Sequence, residues 1–163
     1  MSIVHLHLWL NHVPVVGSII GIALLGYALV RRNSELSKLS LALFVLLGAV
    51  AIAVFFTGEP AEEAVQRLPG FSESITERHE ELALFSTIAL VGFGVVGLAA
   101  LAYYRRRLLP RWIAAASLAV SLTIGGLLAA TANLGGQIRH SEIRSGAAAT
   151  LGDRESESEE RHR

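Results

Sequence analysis

The sequence contains no cysteine, and only 17% of its 163 residues are charged. The absence of cysteine excludes disulfide bonds and thiolate metal ligands. The shortage of charge excludes an ordinary soluble domain, because a soluble domain of this length needs more charged surface. By contrast, 52% of the residues are hydrophobic, and they occur in blocks rather than at a helical or strand spacing.

Four long stretches contain no Asp, Glu, Lys, Arg or His. They are Val13–Val30, Leu39–Thr57, Leu82–Tyr104 and Trp112–Gly135. A bilayer core about 30 Å thick needs about 20 apolar residues in a helix, and a backbone in lipid must satisfy its own hydrogen bonds. We therefore predict an all-α membrane protein whose four transmembrane helices form an up-down-up-down bundle. The predicted spans are residues 13–31, 39–57, 79–104 and 112–135.

The connection between the second and third spans predicts a short amphipathic outer helix. In "GEPAEEAVQRL", Pro60 stands in the first turn and acids lie near the N-terminus, as helix starts favour. The spacing of Ser74 and Glu77 predicts a capping box that starts the third long helix. Residues 1–145 are predicted to form one transmembrane domain, and the charged residues 146–163 to form a disordered tail.

Basic residues distinguish the two sides of the predicted membrane protein. The short loops 31–38 and 105–111 carry seven basic residues and one acid, Glu35. The positive-inside rule places these loops in the cytoplasm. We therefore expect a multi-pass protein of the bacterial inner membrane, with both termini in the periplasm or outside the cell.

Three histidines precede the first span, in "HLHLWLNH". If this segment is helical, the spacing i, i+4, i+7 places His5, Trp9 and His12 on one face. His7 then lies on another face, and we expect it to be a bystander.

Two further histidines flank the third and fourth spans on the same predicted outer side. His79 begins the third span, and His140 follows the fourth. If the fourth helix continues past Gly135, then Asn133, Gln137 and His140 form one polar stripe along it. Three helices would then bring a histidine to one membrane face, so we hypothesise that His12, His79 and His140 converge on a cofactor. Ionisable groups at such a boundary are candidates for function.

Several functions are compatible with this pattern. One is a haem b held by two histidines that carries electrons, and another is a zinc, copper or iron site. The candidate metal ligands are His5, His12, His79, His140, Glu63 and Glu80. A third possibility is an accessory or assembly subunit of a larger respiratory or photosynthetic membrane complex, without its own cofactor. In that case the histidines only bond to carbonyls or headgroups. We do not expect an enzyme that acts on soluble substrates.

Glycines recur inside the predicted spans. Gly17 and Gly21 form a Gly-x-x-x-Gly pair, and Gly125 and Gly126 stand near Ala129. Such residues allow close helix contact within the bundle, with a partner membrane protein or in a homo-oligomer. The run "GFGVVG", residues 92–97, has the spacing of a nucleotide-binding loop but no preceding strand. We therefore expect neither a nucleotide nor a nucleic-acid partner.

The order of four short motifs resembles an uncharacterised bacterial family of four-helix membrane proteins. They are "NHVP" at the first span, "FFTGEPAE" after the second, "ERHE" before the third and "NLGGQIRHSEI" after the fourth. The resemblance covers residues 5 to about 144 and implies a four-helix fold without implying a reaction. The family pattern falls on His12, Pro14, Thr57, Gly58, His79, Gly135, Gly136 and His140.

Overall fold

The computed structural model describes residues 3–66 and 71–139, and these residues form helices without a strand. The helices are α1 (Ile3–Leu10), α2 (His12–Val30), α3 (Ser34–Phe56), α4 (Gly58–Gln66), α5 (Glu73–Tyr103) and α6 (Arg111–Arg139). Four helical segments are long and apolar enough to cross a membrane. The prediction of an all-α protein with four candidate spans is therefore confirmed. His140 and the tail after it lie outside the described residues.

The two short helices, α1 and α4, are each nearly continuous with a long helix. A single turn residue, Asn11, separates α1 from α2, and Thr57 separates α3 from α4. The start of α3 is capped by Asn33, whose Oδ1 accepts hydrogen bonds from the backbone of Glu35 at 3.0 Å and of Leu36 at 3.1 Å. This cap satisfies donors that a helix N-terminus leaves unpaired. The predicted short helix between the second and third spans is α4.

The predicted capping box at Ser74 is wrong. The helix begins earlier, at Glu73, with Ser72 as its N-cap residue and Ser74 already inside the first turn. The carbonyl of Ser72 accepts hydrogen bonds from the backbone N and the hydroxyl of Thr76, at 3.2 and 3.0 Å. These bonds hold the first turn without a reciprocal side-chain pair.

The long helices pack so that α3 contacts α2 and α5, while α6 contacts α5 and α2. Between α2 and α3, Gly17 faces Leu47 and Gly21 faces Phe44, so residue numbers run in opposite directions along the contact. The core is a cluster of apolar side chains from the four long helices α2, α3, α5 and α6. Its most deeply buried members are Leu25, Leu41, Phe44, Leu47 and Leu90.

Glycines create the closest helix contacts, as the sequence predicts for Gly17 and Gly21. A Cβ at Gly21 would lie 2.7 Å from a ring carbon of Phe44, and a Cβ at Gly94 would lie 3.3 Å from the carbonyl oxygen of Phe44. By contrast, a Cβ at Gly92 would meet nothing within 4 Å. The glycine run in α5 therefore packs α5 against α3 through Gly94, and Gly92 takes no part in this contact.

The bundle has two chemically different ends. The histidine end comprises residues 3–12, 53–66, 71–80 and 131–139. The arginine end comprises residues 30–38 and 103–111. Contacts of α1 with α4 and α3 close the histidine end. A hydrogen bond of 2.7 Å from the backbone N of Leu109 to Ser34 Oγ joins the two loops of the arginine end.

Candidate binding site at the histidine end

His7 points into the bundle from α1 and is half-buried. Its Nδ1 lies 3.2 Å from the carbonyl oxygen of Val54 and 3.1 Å from Thr57 Oγ1. The Thr57 hydroxyl itself donates to the carbonyl of Val54 at 2.9 Å, so its oxygen is available as an acceptor. Because a carbonyl oxygen can only accept, Nδ1 of His7 carries the hydrogen and the lone pair remains on Nε2.

His79 makes the equivalent contact between α5 and α6. It is half-buried, and its Nδ1 donates to the carbonyl oxygen of Thr131 at 3.0 Å. A second bond between the same two helices joins the hydroxyls of Ser86 and Thr131 at 3.0 Å. As in His7, the lone pair of the imidazole is left on Nε2.

Both imidazole rings lie beside glycines. A Cβ at Gly135 would lie only 3.0 Å from Cε1 of His79, whereas a Cβ at Gly58 would lie 3.7 Å from Cε1 of His7. The first distance is tighter than an ordinary contact, and the second is ordinary. Gly135 therefore makes room for the His79 ring, which gives a physical reason for a glycine at this position.

The two half-buried histidines and Glu62 lie at the same end of the bundle, and we call His7, His79 and Glu62 the cluster. Glu62, on α4, lines a cavity together with Glu77 and Glu80, which flank His79 along α5. The cluster therefore collects side chains from α1, α4 and α5, anchored on the carbonyls of α3 and α6. Within residues 3–66 and 71–139, no group of three or more His, Asp or Glu side chains is arranged to hold a metal ion.

His12 has a different environment from His7 and His79. Its side chain is exposed, and its Nδ1 donates to the carbonyl oxygen of Leu8 in the preceding turn, at 2.8 Å. His5 and Trp9 are exposed on the same side, so the predicted shared face exists but points away from the bundle. His7 lies on a different face of α1, as expected, and this face packs against α3 and α4.

The remaining predicted ligands lie on α4, on α5 or outside the described residues. Glu63 is exposed on α4. Glu80 is exposed and lines a polar cavity of about 470 Å³ together with Glu62, Glu73 and Glu77. His140 lies outside the described residues. The predicted continuation of α6 past Gly135 is confirmed, and Gln137 donates to Asn133 Oδ1 at 3.1 Å on the expected stripe.

Asn11 adds an unusual polar atom at the turn between α1 and α2. Its Oδ1 is buried and has no hydrogen-bond partner among the described residues. Asn11 follows His7 by one helical turn, and its backbone N donates to the His7 carbonyl at 2.9 Å. A buried acceptor without a partner is costly, and such exceptions are informative about function. His7 and Asn11 are spaced i, i+4 and therefore share one helix face. This spacing is the signal from which the sequence could have predicted that both side chains point inward.

The chain matches no protein-family model, and comparison with curated proteins and with solved structures finds no match. The resemblance to four-helix membrane proteins therefore stays a prediction.

Proposed function

We propose that the chain is a multi-pass protein of the bacterial inner membrane whose four spans alternate in direction. The arginine end lies in the cytoplasm, and the histidine end lies in the periplasm or outside the cell. Support comes from the seven basic residues in loops 31–38 and 105–111, opposed by Glu35 alone, because short cytoplasmic loops accumulate Lys and Arg. The opposite residue order along the contact of α2 with α3 agrees with alternating directions.

A C-terminal fusion tests this orientation. We expect an alkaline phosphatase attached after Arg163 to be active, since that enzyme requires the oxidising periplasm for its disulfides. A fluorescent protein fused within loop 105–111 reports the opposite side and should be bright. An inactive phosphatase together with a bright C-terminal fluorescent protein would reverse the proposed orientation.

The proposed function of the histidine end is to bind a transition metal ion or haem b through His7 and His79. The observation that carries this proposal is that each ring donates Nδ1–H to a carbonyl of another helix. Metal-ligating histidines adopt this arrangement, because the outer hydrogen bond sets the tautomer and orients the ring. The proposal thus replaces the exposed His12 by His7 and retains His79.

The chemistry of the cluster suits some metals better than others. Imidazole is a ligand of zinc, copper and iron, and a carboxylate such as Glu62 is compatible with the same metals. Zinc and iron need nitrogen–metal distances near 2 Å, so His7 and His79 would have to turn Nε2 toward a common point. A haem with two imidazole ligands would supply one-electron transfer, whereas a zinc ion would not.

Metal analysis and an absorption spectrum of the detergent-purified intact chain test this proposal. We expect either stoichiometric metal or a Soret band in the wild type, and loss of most of it in His7→Gln and in His79→Gln. His12→Gln is the matched control, because His12 also donates Nδ1 to a carbonyl but is exposed. Wild-type protein with neither metal nor haem, or equal loss in all three variants, would refute the site.

A second candidate function is that of an accessory or assembly subunit of a larger membrane complex. It is favoured by a line of small residues along one exposed face of α6. This face contains Ala119, Thr123, Gly126, Ala130 and Asn133. A Cβ at Gly126 would meet nothing within 4 Å. Small residues let a second helix approach closely in a membrane.

Site-specific photocrosslinking in native membranes tests the subunit proposal. A photoreactive residue at Gly126 should give a discrete adduct with a membrane partner or with a second copy of the chain. The control position is Val96, which is exposed on α5 among large apolar residues. Lipid adducts alone at both positions would count against a subunit role.

A further inference from the structure

The two loops of the arginine end form one continuous surface. The hydroxyl of Ser34, at the start of α3, accepts a hydrogen bond of 2.7 Å from the backbone N of Leu109, which is buried. This bond draws the loop between α5 and α6 against the loop between α2 and α3. Residues separated by about 75 positions in the chain therefore share one end of the bundle.

This surface concentrates positive charge. Six arginine side chains are exposed on it: Arg31, Arg32, Arg105, Arg106, Arg107 and Arg111. The single acid of the two loops, Glu35, pairs with Lys38 at 2.8 Å. The charge of the six arginines is thus not offset by Glu35, whose carboxylate already has a lysine partner.

Aromatic and apolar side chains around the arginines indicate the depth of this surface relative to a bilayer. Tyr27, Tyr103 and Trp112 are exposed at the helix ends, the position at which interfacial aromatic rings lie at the headgroup level. The guanidinium carbon of Arg107 is 5.7 Å from the centre of the Tyr103 ring. Leu108, in the middle of the basic loop, is 77% exposed. Such exposure of a leucine is favourable where the acyl chains of membrane lipids can contact its side chain.

We propose that the arginine end is a binding surface for the headgroup phosphates of anionic phospholipids in the same membrane. The planar guanidinium group can donate two parallel hydrogen bonds to one phosphate, which a lysine cannot do. Basic residues beside a span attract anionic lipids additively. The surface lies at the opposite end from His7 and His79, so this inference does not depend on a metal or haem.

Native mass spectrometry of the intact chain in detergent measures this binding. The probes are dioleoyl phosphatidylglycerol and dioleoyl phosphatidylcholine, which share acyl chains and differ in headgroup charge. We expect tighter retention of the phosphatidylglycerol by the wild type. In Arg105→Gln/Arg106→Gln its affinity should fall about fivefold per residue, or roughly 25-fold. Arg107 is kept because it contacts Tyr103.

Arg78→Gln is the matched control, because Arg78 is an exposed arginine at the histidine end, and its lipid affinity should equal that of the wild type. Thermal unfolding with phosphatidylcholine alone checks that the double variant is folded, and Arg106→Gln replaces it if it is not. Equal retention of both lipids, or an unchanged preference in the arginine variants, would overturn the inference. Displacement of phosphatidylglycerol by equimolar inorganic phosphate would also overturn it, because the surface would then be a site for free phosphate.

Discussion

The two ends of the bundle place their polar side chains in opposite ways. At the histidine end, His7 and His79 point inward and each donates to a carbonyl of another helix. At the arginine end, the guanidinium groups are exposed, and the bond between Ser34 and Leu109 joins the two loops. Imidazole can lose its charge and become part of a helix contact, whereas guanidinium stays charged and must remain solvated. The ionisation of the side chain thus decides which polar groups can enter a helix contact.

The two ends also differ in what they offer a ligand: the histidine end offers groups of defined orientation, and the arginine end offers charge. The histidine end offers few groups with defined orientation, such as the His79 ring against Gly135. The arginine end offers six exposed arginines, which are donors of one charge sign. An end of the first kind suits one specific ligand, and an end of the second kind suits a fluid layer of headgroups.

The largest expected effect is on the middle of the bundle, which holds both ends in place. Gly94→Leu should destabilise the protein by about 3 kcal/mol. The added side chain would meet the backbone of α3 at Phe44, and two closely packed helices can accommodate it only by moving apart. Gly92→Leu, two residues away on open surface, should have little effect. Thermal unfolding in detergent measures both, and equal melting temperatures would show that α5 does not pack on α3 through Gly94.

The next largest effect should distinguish the two ends directly. His79→Ala removes a hydrogen bond to Thr131 and the ring that fills the space beside Gly135, and it should cost about 2 kcal/mol. Arg106→Ala removes an exposed side chain and should change stability by less than about 0.5 kcal/mol. Chemical denaturation in a fixed detergent compares them. If the arginine variant lost as much as the histidine variant, the proposed contrast between inward and outward polar groups would fail.

A smaller effect tests the bond that joins the two loops of the arginine end. Ser34→Ala leaves the buried backbone N of Leu109 without its partner, which should cost about 1–2 kcal/mol. Ser74→Ala at the histidine end is the control, since Ser74 is exposed and its hydroxyl lies 3.3 Å from the Ser72 hydroxyl. Hydrogen exchange at Leu109 should accelerate in Ser34→Ala alone. Unchanged protection there would mean that another group holds the two loops together.

The smallest expected effect is a gain in stability at the end of α2. Arg32 has a φ of 54° and occupies the left-handed position after the helix, where glycine is preferred. The bonds from Arg32 N to Leu29 O and from Asn33 N to Ala28 O complete this termination. Arg32→Gly should therefore stabilise the protein by about 0.5–1 kcal/mol.

Arg31→Gly supplies the matched comparison, because Arg31 has a φ of −78° and gains nothing from glycine. It should be neutral or slightly destabilising, although it removes the same charge. Thermal unfolding of both variants tests the predicted gain in stability. A lower melting temperature in Arg32→Gly would indicate that the Arg32 side chain itself makes a stabilising contact.

Much of the fold is predictable from composition and from the length of the apolar blocks. The four uncharged stretches predicted the long helices, and the pattern around Pro60 predicted α4. The Gly17 and Gly21 pair predicted a helix contact, which Leu47 and Phe44 provide. These features depend on the local sequence and on its preference for an apolar or polar environment, so a single chain is sufficient to infer them.

The candidate site was less accessible to such reasoning. The periodicity of "HLHLWLNH" correctly groups His5 with His12, but periodicity alone cannot decide which face of α1 turns toward the bundle. Thr131 gave no signal as a partner of His79, because a backbone carbonyl is present at every position of a helix. The predicted capping box at Ser74 fails because Ser72, two residues earlier, is the N-cap residue of the same helix.

The sequence by itself determined that this protein has four long apolar helices and which loops carry the basic residues, because both follow from the hydropathy and charge of consecutive residues. Only the tertiary structure decided that His7 faces inward while His12 does not. The rotation of α1 about its axis is set by contacts with Val54, Thr57 and Gly58, which lie about 50 residues further along the chain. A local pattern contains no information about that rotation until those distant residues come into contact.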